Sequence, residues 1–221
     1  MREGFRQELK ELKAEVVSIG RRVVDQTALG VKALIEGDLG IAEAVIAGDD
    51  EIDRRTQEVE EHSLEVMATQ FPVARDLRLL HSLTYIALHL ERMGDLSVNI
   101  AKAARRTADR HGPQTLYDLI QAQGNLVHRV LEACLEALEL NDLELARKLQ
   151  ELDDPIDQLF KQFFRELGRL QDEEDIEWAS SMVLAARYLE RIADNAVDIG
   201  ERIQYMMTGT FEANPEPPAA G

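Results

Sequence analysis

The chain has 221 residues and a formal net charge of −17, with 45 % hydrophobic and 30 % charged residues. This length fits one large domain or two of about a hundred residues each, and the composition is ordinary for a soluble globular protein. The acidic balance argues against a nucleic-acid partner and against adsorption on anionic lipid, because both need clustered Lys and Arg. It suits cations or a basic protein surface.

The signals for compartment point to the cytoplasm. Cys134 is the single cysteine, so an intrachain disulfide is impossible and a reducing compartment is the natural interpretation. The N-terminal sequence lacks the apolar core of a signal peptide, and no run approaches the roughly 18 apolar residues of a membrane span. We therefore expect a cytoplasmic protein, or one that is held at the inner face of the membrane only by a partner and does not insert into the bilayer.

Helical periodicity runs along almost the whole chain, and no strand-like alternation stands out. Gly37 and Asn141 occupy matching places after a helix, where the left-handed conformation suits Gly or Asn. Asp38 and Asp142 follow them and can accept hydrogen bonds from free backbone N–H groups as N-cap residues. We place the helices at about 3–36, 38–70, 73–109, 114–140, 142–170 and 174–208.

Two copies of one three-helix pattern fill the chain. The segment GDLGIAEAVIAGDDEID at 37–53 aligns with NDLELARKLQELDDPID at 141–157. Later in each copy, LERMGDLSVNI at 90–100 aligns with LERIADNAVDI at 189–199. Repetition at this period is typical of a duplicated structural unit. The sequence therefore predicts an all-α protein made of two tandem, sequence-related three-helix bundles with long antiparallel helices.

The pair Gly112 and Pro113 breaks the chain between the third and fourth helices and marks the best boundary between the copies. The first copy then covers residues 1–111 and the second covers 112–208. The remaining residues, 209–221, carry three of the six prolines and are expected to form a disordered tail.

The middle helix of each copy is expected to bend. Pro155 can begin a new helix with Asp154 as its N-cap, but two separate helices there would have half the length of their neighbours. We therefore expect one rod in each copy, kinked near Asp50 in the first and near Asp154 in the second.

Carboxylates recur every four residues on the third helix of each copy. This spacing places them on one ridge, roughly opposite the apolar stripe of the same helix. The middle helix of each copy adds a second acidic pair at the same spacing. The candidate ligands are Asp49, Asp53, Glu91 and Asp95 in the first copy, and Asp153, Asp157, Glu190, Asp194 and Asp198 in the second.

Two interpretations of these carboxylates stay open. A charged outer face is ordinary for a bundle helix, and the middle-helix pairs can simply cap a helix. However, like charges four residues apart disfavour a helix unless a cation compensates them, and carboxylate oxygens on adjacent turns can bridge hard metal ions. A catalytic di-iron bundle is disfavoured because no His has a Glu three residues before it, and the common nucleotide, hydrolase and zinc-protease motifs are absent.

The sequence resembles the PhoU family over residues 1–208. The resemblance is carried by the duplicated unit, by PVARDLR at 72–78, and by LERMGDLSVNIA with LERIADNAVDIGE. It implies two bundles side by side and multinuclear clusters of iron or another divalent metal, such as zinc, manganese or magnesium, on these acidic motifs. One departure is that Asn99 has Asp198 as its counterpart, whereas family members usually carry Asn at both positions.

The resemblance also implies a regulatory, non-catalytic role. Such proteins couple the ATPase subunit of a high-affinity phosphate ABC transporter to a sensor histidine kinase, and they repress phosphate-starvation genes when phosphate is plentiful. A homodimer is possible. Asp76 and Arg78 are candidate partner contacts, although capping of the third helix explains them about as well. Two other classes stay open, namely a metal-buffering protein and a metal-free structural adaptor.

Overall fold

The computed structural model describes residues 2–169 and 176–211, and within these ranges it is helical with no strand. The predicted all-α class is thus confirmed. The predicted helix limits at 170 and 174, and the tail beyond residue 211, lie outside the described residues. The helices are α1 Arg2–Glu36, α2 Leu39–Ala47, α3 Asp49–Gln70, α4 Arg75–Thr107, α5 Gln114–Leu140, α6 Leu143–Leu167 and α7 Ile176–Thr208.

Two three-helix bundles lie side by side. Helices α1 to α4 pack together as the first bundle, in which α2 and α3 follow one another as the middle rod, and α5 to α7 form the second. Helix α4 packs along α7 and α1 packs along α5, so one apolar core runs through both bundles. The proposed boundary at residues 111–112 falls in the connection between α4 and α5; as a domain limit it stays a prediction.

The turns that begin the two middle rods have matching local structure. Gly37 and Asn141 adopt positive φ angles of 66° and 54°. The side chain of Asp38 accepts a hydrogen bond from the backbone N–H of Ile41, and that of Asp142 accepts one from Leu145 N–H, each at 3.0 Å. Both N-caps therefore form where the sequence places them.

Replacing Asp142 by alanine is expected to lower the free energy of unfolding by about 1 kcal/mol, because the N–H of Leu145 loses its acceptor. Asp142→Asn keeps an oxygen acceptor at the same place and should remain close to the parent protein. Urea unfolding followed by circular dichroism measures both variants. Equal midpoints for Asp142→Ala and the parent would contradict a stabilising cap.

The middle rods of the two bundles differ. In the first bundle the rod is divided at Gly48, two residues before the predicted kink at Asp50. Glycine is unfavourable inside a helix, and the acidic run that starts at Asp49 favours the beginning of a new one. In the second bundle, α6 continues as one helix across Pro155, although the ring nitrogen of this residue cannot donate a backbone hydrogen bond. No helix of the described residues is long and apolar enough to cross a membrane.

Candidate cation-binding site

The first acidic cluster consists of Asp49 and Asp53 on α3 and Glu91 and Asp95 on α4. The break at Gly48 starts α3 so that its first two turns face the middle of α4. Burial raises the pKa of Asp49, Asp53 and Glu91, and repulsion from carboxylates across the helix pair raises them further. The structure therefore brings together two acidic pairs that are about forty residues apart in the sequence.

The second acidic cluster consists of Asp153 and Asp157 on α6 and Asp194 on α7, with Asp198 one turn further along α7. Asp153 is only 5 % exposed, and within the described part of the chain its buried Oδ1 atom has no hydrogen-bond partner. Burial and the nearby charges of Asp157 and Asp194 raise the pKa of Asp153 to about 7. Burial and Asp157 also raise the pKa of Asp194. The second bundle thus repeats the acidic pairing of the first.

Two of the predicted ligands in the second bundle already have partners. Glu190 forms an ion pair with Arg187 one turn before it on α7. Asp198 is exposed, and its Oδ2 atom lies 3.8 Å from Nδ1 of the buried His89 on α4. His89 Nδ1 also lies 2.9 Å from the side-chain oxygen of Asn195. Glu190 and Asp198 therefore stand at the edges of the second cluster, with Asp153, Asp157 and Asp194 at its centre.

Sequence reasoning missed the neighbours that define these edges. The ion pair between Arg187 and Glu190 could have been found, because a spacing of three residues places both on one helix face. The contact between His89 and Asn195 joins residues 106 positions apart and depends on how α4 packs on α7. Burial lowers the pKa of His89 and outweighs the opposite effects of Asp198 and Asn195.

The donor atoms of both clusters are carboxylate oxygens, which suit hard divalent cations. The unpartnered Oδ1 of Asp153 is a donor that a cation would satisfy. With the side chains as they stand, no group of three or more His, Cys, Asp or Glu in the described part of the chain is arranged to hold a metal ion. The chemistry of the residues therefore fits a cation, and binding would require the side chains of a cluster to close around it.

The two predicted partner contacts lie at the beginning of α4. The N-cap position is Ala74, which has a φ of 46° and no side-chain cap, and Asp76 lies in the first turn, where a carboxylate complements the helix dipole. Arg78 lies against Gly209, just after α7. Phe71 and Val73 in the preceding turn are 79 % and 74 % exposed. A partner role for Asp76 and Arg78 stays a prediction.

Two three-helix bundles, each with an acidic cluster between its middle and third helices, define a class of duplicated helical protein with paired acidic sites. Within that class the comparison is specific. The family model described as PhoU domain matches residues 16–104 and again residues 120–203, which is one match in each bundle. The chain belongs to the PhoU family.

Relatives and solved structures agree with this assignment. The chain is 31 % identical to the phosphate-specific transport system accessory protein PhoU homolog 1 of Methanothermobacter thermautotrophicus, over 92 % of this chain and 94 % of that protein. It is 32 % identical to the PhoU homolog of Pseudomonas putida, over 93 % of this chain and 81 % of that protein. The crystal structure of PhoU from Pseudomonas aeruginosa has a TM-score of 0.88 at 30 % identity and covers 93 % of this chain and 100 % of its own.

Proposed function

We propose that this protein is a non-catalytic regulator of phosphate uptake and phosphate signalling. The observation that carries the proposal is the pair of PhoU domain matches, one in each bundle. Two relatives, matched over 94 % and 81 % of their length, are named phosphate-specific transport system accessory proteins. One solved relative is a phosphate transport system regulatory protein from Streptococcus pneumoniae, with a TM-score of 0.86, 28 % identity, and coverage of 95 % of this chain and 100 % of that one.

In this role the protein couples the ATPase subunit of a phosphate ABC transporter to a sensor histidine kinase. It represses the phosphate-starvation response while phosphate is plentiful. The net charge of −17 supports binding to basic surfaces on such partners, because charge complementarity accelerates and orients association. The protein would act in the cytoplasm and would reach the inner face of the membrane through its partners. A homodimer would present two copies of the same acidic surfaces.

The two acidic clusters are proposed to bind divalent cations, either single ions or a multinuclear cluster of iron, zinc, manganese or magnesium. A bound cation would neutralise carboxylates that burial and mutual repulsion now make costly to ionise. It would also link α3 to α4 in the first bundle and α6 to α7 in the second. Cation binding would thereby stiffen the two bundle faces that carry the negative charge.

Deleting the gene in its own host and following a phosphate-starvation reporter tests the regulatory role. In phosphate-rich medium the deletion is expected to raise reporter expression at least several-fold, and a plasmid copy of the gene should restore repression. Crosslinking in the same medium should recover the transporter ATPase or the kinase with the tagged protein. Unchanged reporter expression in the deletion strain would contradict the proposal.

A metal-buffering role and a metal-free adaptor role are separated by a double variant. Asp53→Asn and Asp157→Asn together remove one central carboxylate from each cluster while leaving the buried core intact. If cation binding serves signalling, the double variant should lose both metal and repression. If elemental analysis shows that the double variant is metal-free and repression is still complete, the adaptor role is favoured. If the deletion strain represses normally but is sensitive to excess metal, the buffering role is favoured.

A further inference from the structure

The two acidic clusters differ at one buried position of the third helix. Gly94 in α4 corresponds to Ala193 in α7, as the alignment of LERMGD with LERIAD shows. A methyl group placed on Gly94 would lie 3.2 Å from Oδ1 of Asp49 and 3.6 Å from Oε1 of Gln26. Two oxygen atoms, together with Cδ1 of Ile52 at 3.5 Å, therefore surround the position that a methyl group on residue 94 would take.

Gln26 brings the second of these oxygens from α1. Its side chain is 7 % exposed, and its amide Nε2 donates to the backbone oxygen of Val45 at 3.1 Å and to Asp49 Oδ1 at 3.4 Å. Both neighbours of Nε2 are acceptors, so the reverse orientation of the amide would set oxygen against oxygen. The carbonyl Oε1 is consequently fixed on the side of Gly94.

This carbonyl oxygen is buried and has no hydrogen-bond partner among the residues that the structure describes. Buried polar atoms almost always have partners, so an unpartnered one points to an occupant such as an ion or a water molecule. The repeat alignment that pairs Gly37 with Asn141 pairs Gln26 with Val130, which is 1 % exposed and apolar. The aligned residue of the second bundle therefore has no side-chain oxygen.

We propose that Gln26 supplies a neutral oxygen ligand to a divalent cation held by the first acidic cluster, and that the first cluster is thereby the tighter of the two cation sites. This inference rests on the proposed binding of cations by the clusters. An amide oxygen and several carboxylates together form a set of ligands that suits hard cations such as Mg²⁺ and Mn²⁺. The hydrogen bond from Nε2 of Gln26 to the backbone oxygen of Val45 would hold the ligand oxygen Oε1 in place before the ion binds. Gln26 also lines an open pocket of about 220 Å³, together with Val45, Gly48 and Ile52 among others.

Titration of the chelator-treated full chain with Mn²⁺ alone, by calorimetry and by electron paramagnetic resonance of the free ion, tests the inference. The parent protein should show two affinity classes. Asp53→Asn should remove the tighter class, and Asp157→Asn the weaker class. Gln26→Met keeps the side-chain length without the carbonyl and should weaken the tighter class about tenfold or more, as loss of groups around a metal typically does, while the weaker class stays unchanged.

Gly94→Ala is the second variant, because its methyl group would occupy the space between the two oxygens and should weaken the same class. Thermal unfolding of every variant in EDTA shows whether it is folded. If Gln26→Met is not folded, the Mn²⁺ affinity of Gly94→Ala tests the inference instead. Gln26→Met with a lower melting temperature but an unchanged Mn²⁺ affinity would overturn the inference, since Gln26 would then hold only a water molecule or the helix packing. Absence of Mn²⁺ binding by the parent would overturn the proposed cation sites as well, without bearing on phosphate regulation.

Discussion

Replacing Trp178 by alanine is expected to lower the free energy of unfolding by about 3–5 kcal/mol, the usual loss for a large buried ring. Trp178 is fully buried near the beginning of α7, and its Nε1 donates to the hydroxyl of Tyr117 on α5 at 2.9 Å. The ring also lies directly against Gly112 in the connection between the bundles. The Trp178 side chain on α7 therefore contacts both α5 and the connection between the bundles. Urea unfolding monitored by far-UV circular dichroism measures the loss.

Two further variants separate the contributions to this contact. Trp178→Phe keeps an aromatic ring but loses the hydrogen bond to Tyr117, so it should cost clearly less than alanine. Gly112→Ala should also destabilise the protein, because a methyl group there would come within 2.1 Å of the indole ring. A Trp178→Ala variant whose unfolding midpoint matches that of the parent would show that the ring is not packed in this way in solution.

The parts of the fold that follow local rules could be predicted from the sequence. The caps at Asp38 and Asp142 and the left-handed residues Gly37 and Asn141 depend on a few neighbouring backbone groups, so residue type and position are sufficient. The duplication was also readable, because each copy keeps the same apolar and acidic spacing. The bend in the first middle rod lies two residues before its predicted position, because glycine is unfavourable inside a helix and the acidic run after Gly48 favours the start of a new one.

The sequence predicts which residues are candidate ligands, but not which of them lie close together in the folded protein. Helical spacing places Glu91 and Asp95 on one ridge, but only the packing of α3 on α4 brings Asp49 and Asp53 opposite them. Gln26 carried no signal, because a lone polar residue on an apolar helix face resembles any hydrogen-bonded core residue. Gln26 is distinguished by its Oε1 atom, which has no hydrogen-bond partner among the described residues. This depends on how α1, α3 and α4 pack together.

The packing between the bundles gives the two clusters a shared frame. Arg202 on α7 lies over the ring of Tyr85 on α4, 3.7 Å from its centroid, which is a favourable cation–π arrangement. One turn away, His89 meets Asn195 across the same helix pair. Helix α4 carries part of the first cluster and α7 carries part of the second. A movement of one of these helices along the other would therefore change the surroundings of both clusters. If cations bind in both bundles as proposed, they would therefore be placed to influence each other through the contact between α4 and α7.

Replacing Asp153 by asparagine is expected to remove a pH-dependent loss of stability from the metal-free protein. The pKa of Asp153 is about 7 in the folded protein, raised by burial and by the nearby charges of Asp157, Asp194 and Asp154, against roughly 3.9 in an unfolded chain. Below about pH 4 both states are protonated, so Asp153 has no effect. Between about pH 4 and 7 the unfolded chain releases a proton that the folded protein retains, and stability falls as pH rises. Above pH 7 the loss is complete.

The difference in unfolding free energy between Asp153→Asn and the parent isolates this residue, because all other carboxylates titrate in both proteins. In EDTA the variant should match the parent or be less stable near pH 4 and should gain stability relative to it up to pH 8 by at most about 4 kcal/mol. Asp154→Asn, at the exposed neighbouring position, should change far less. Parallel stability curves for Asp153→Asn and the parent would contradict the raised pKa. Adding Mn²⁺ at pH 8 should make the parent more stable than Asp153→Asn. A cation bound by the second cluster, as proposed, would stabilise the parent according to its occupancy. The variant has lost the buried carboxylate that would bind this cation.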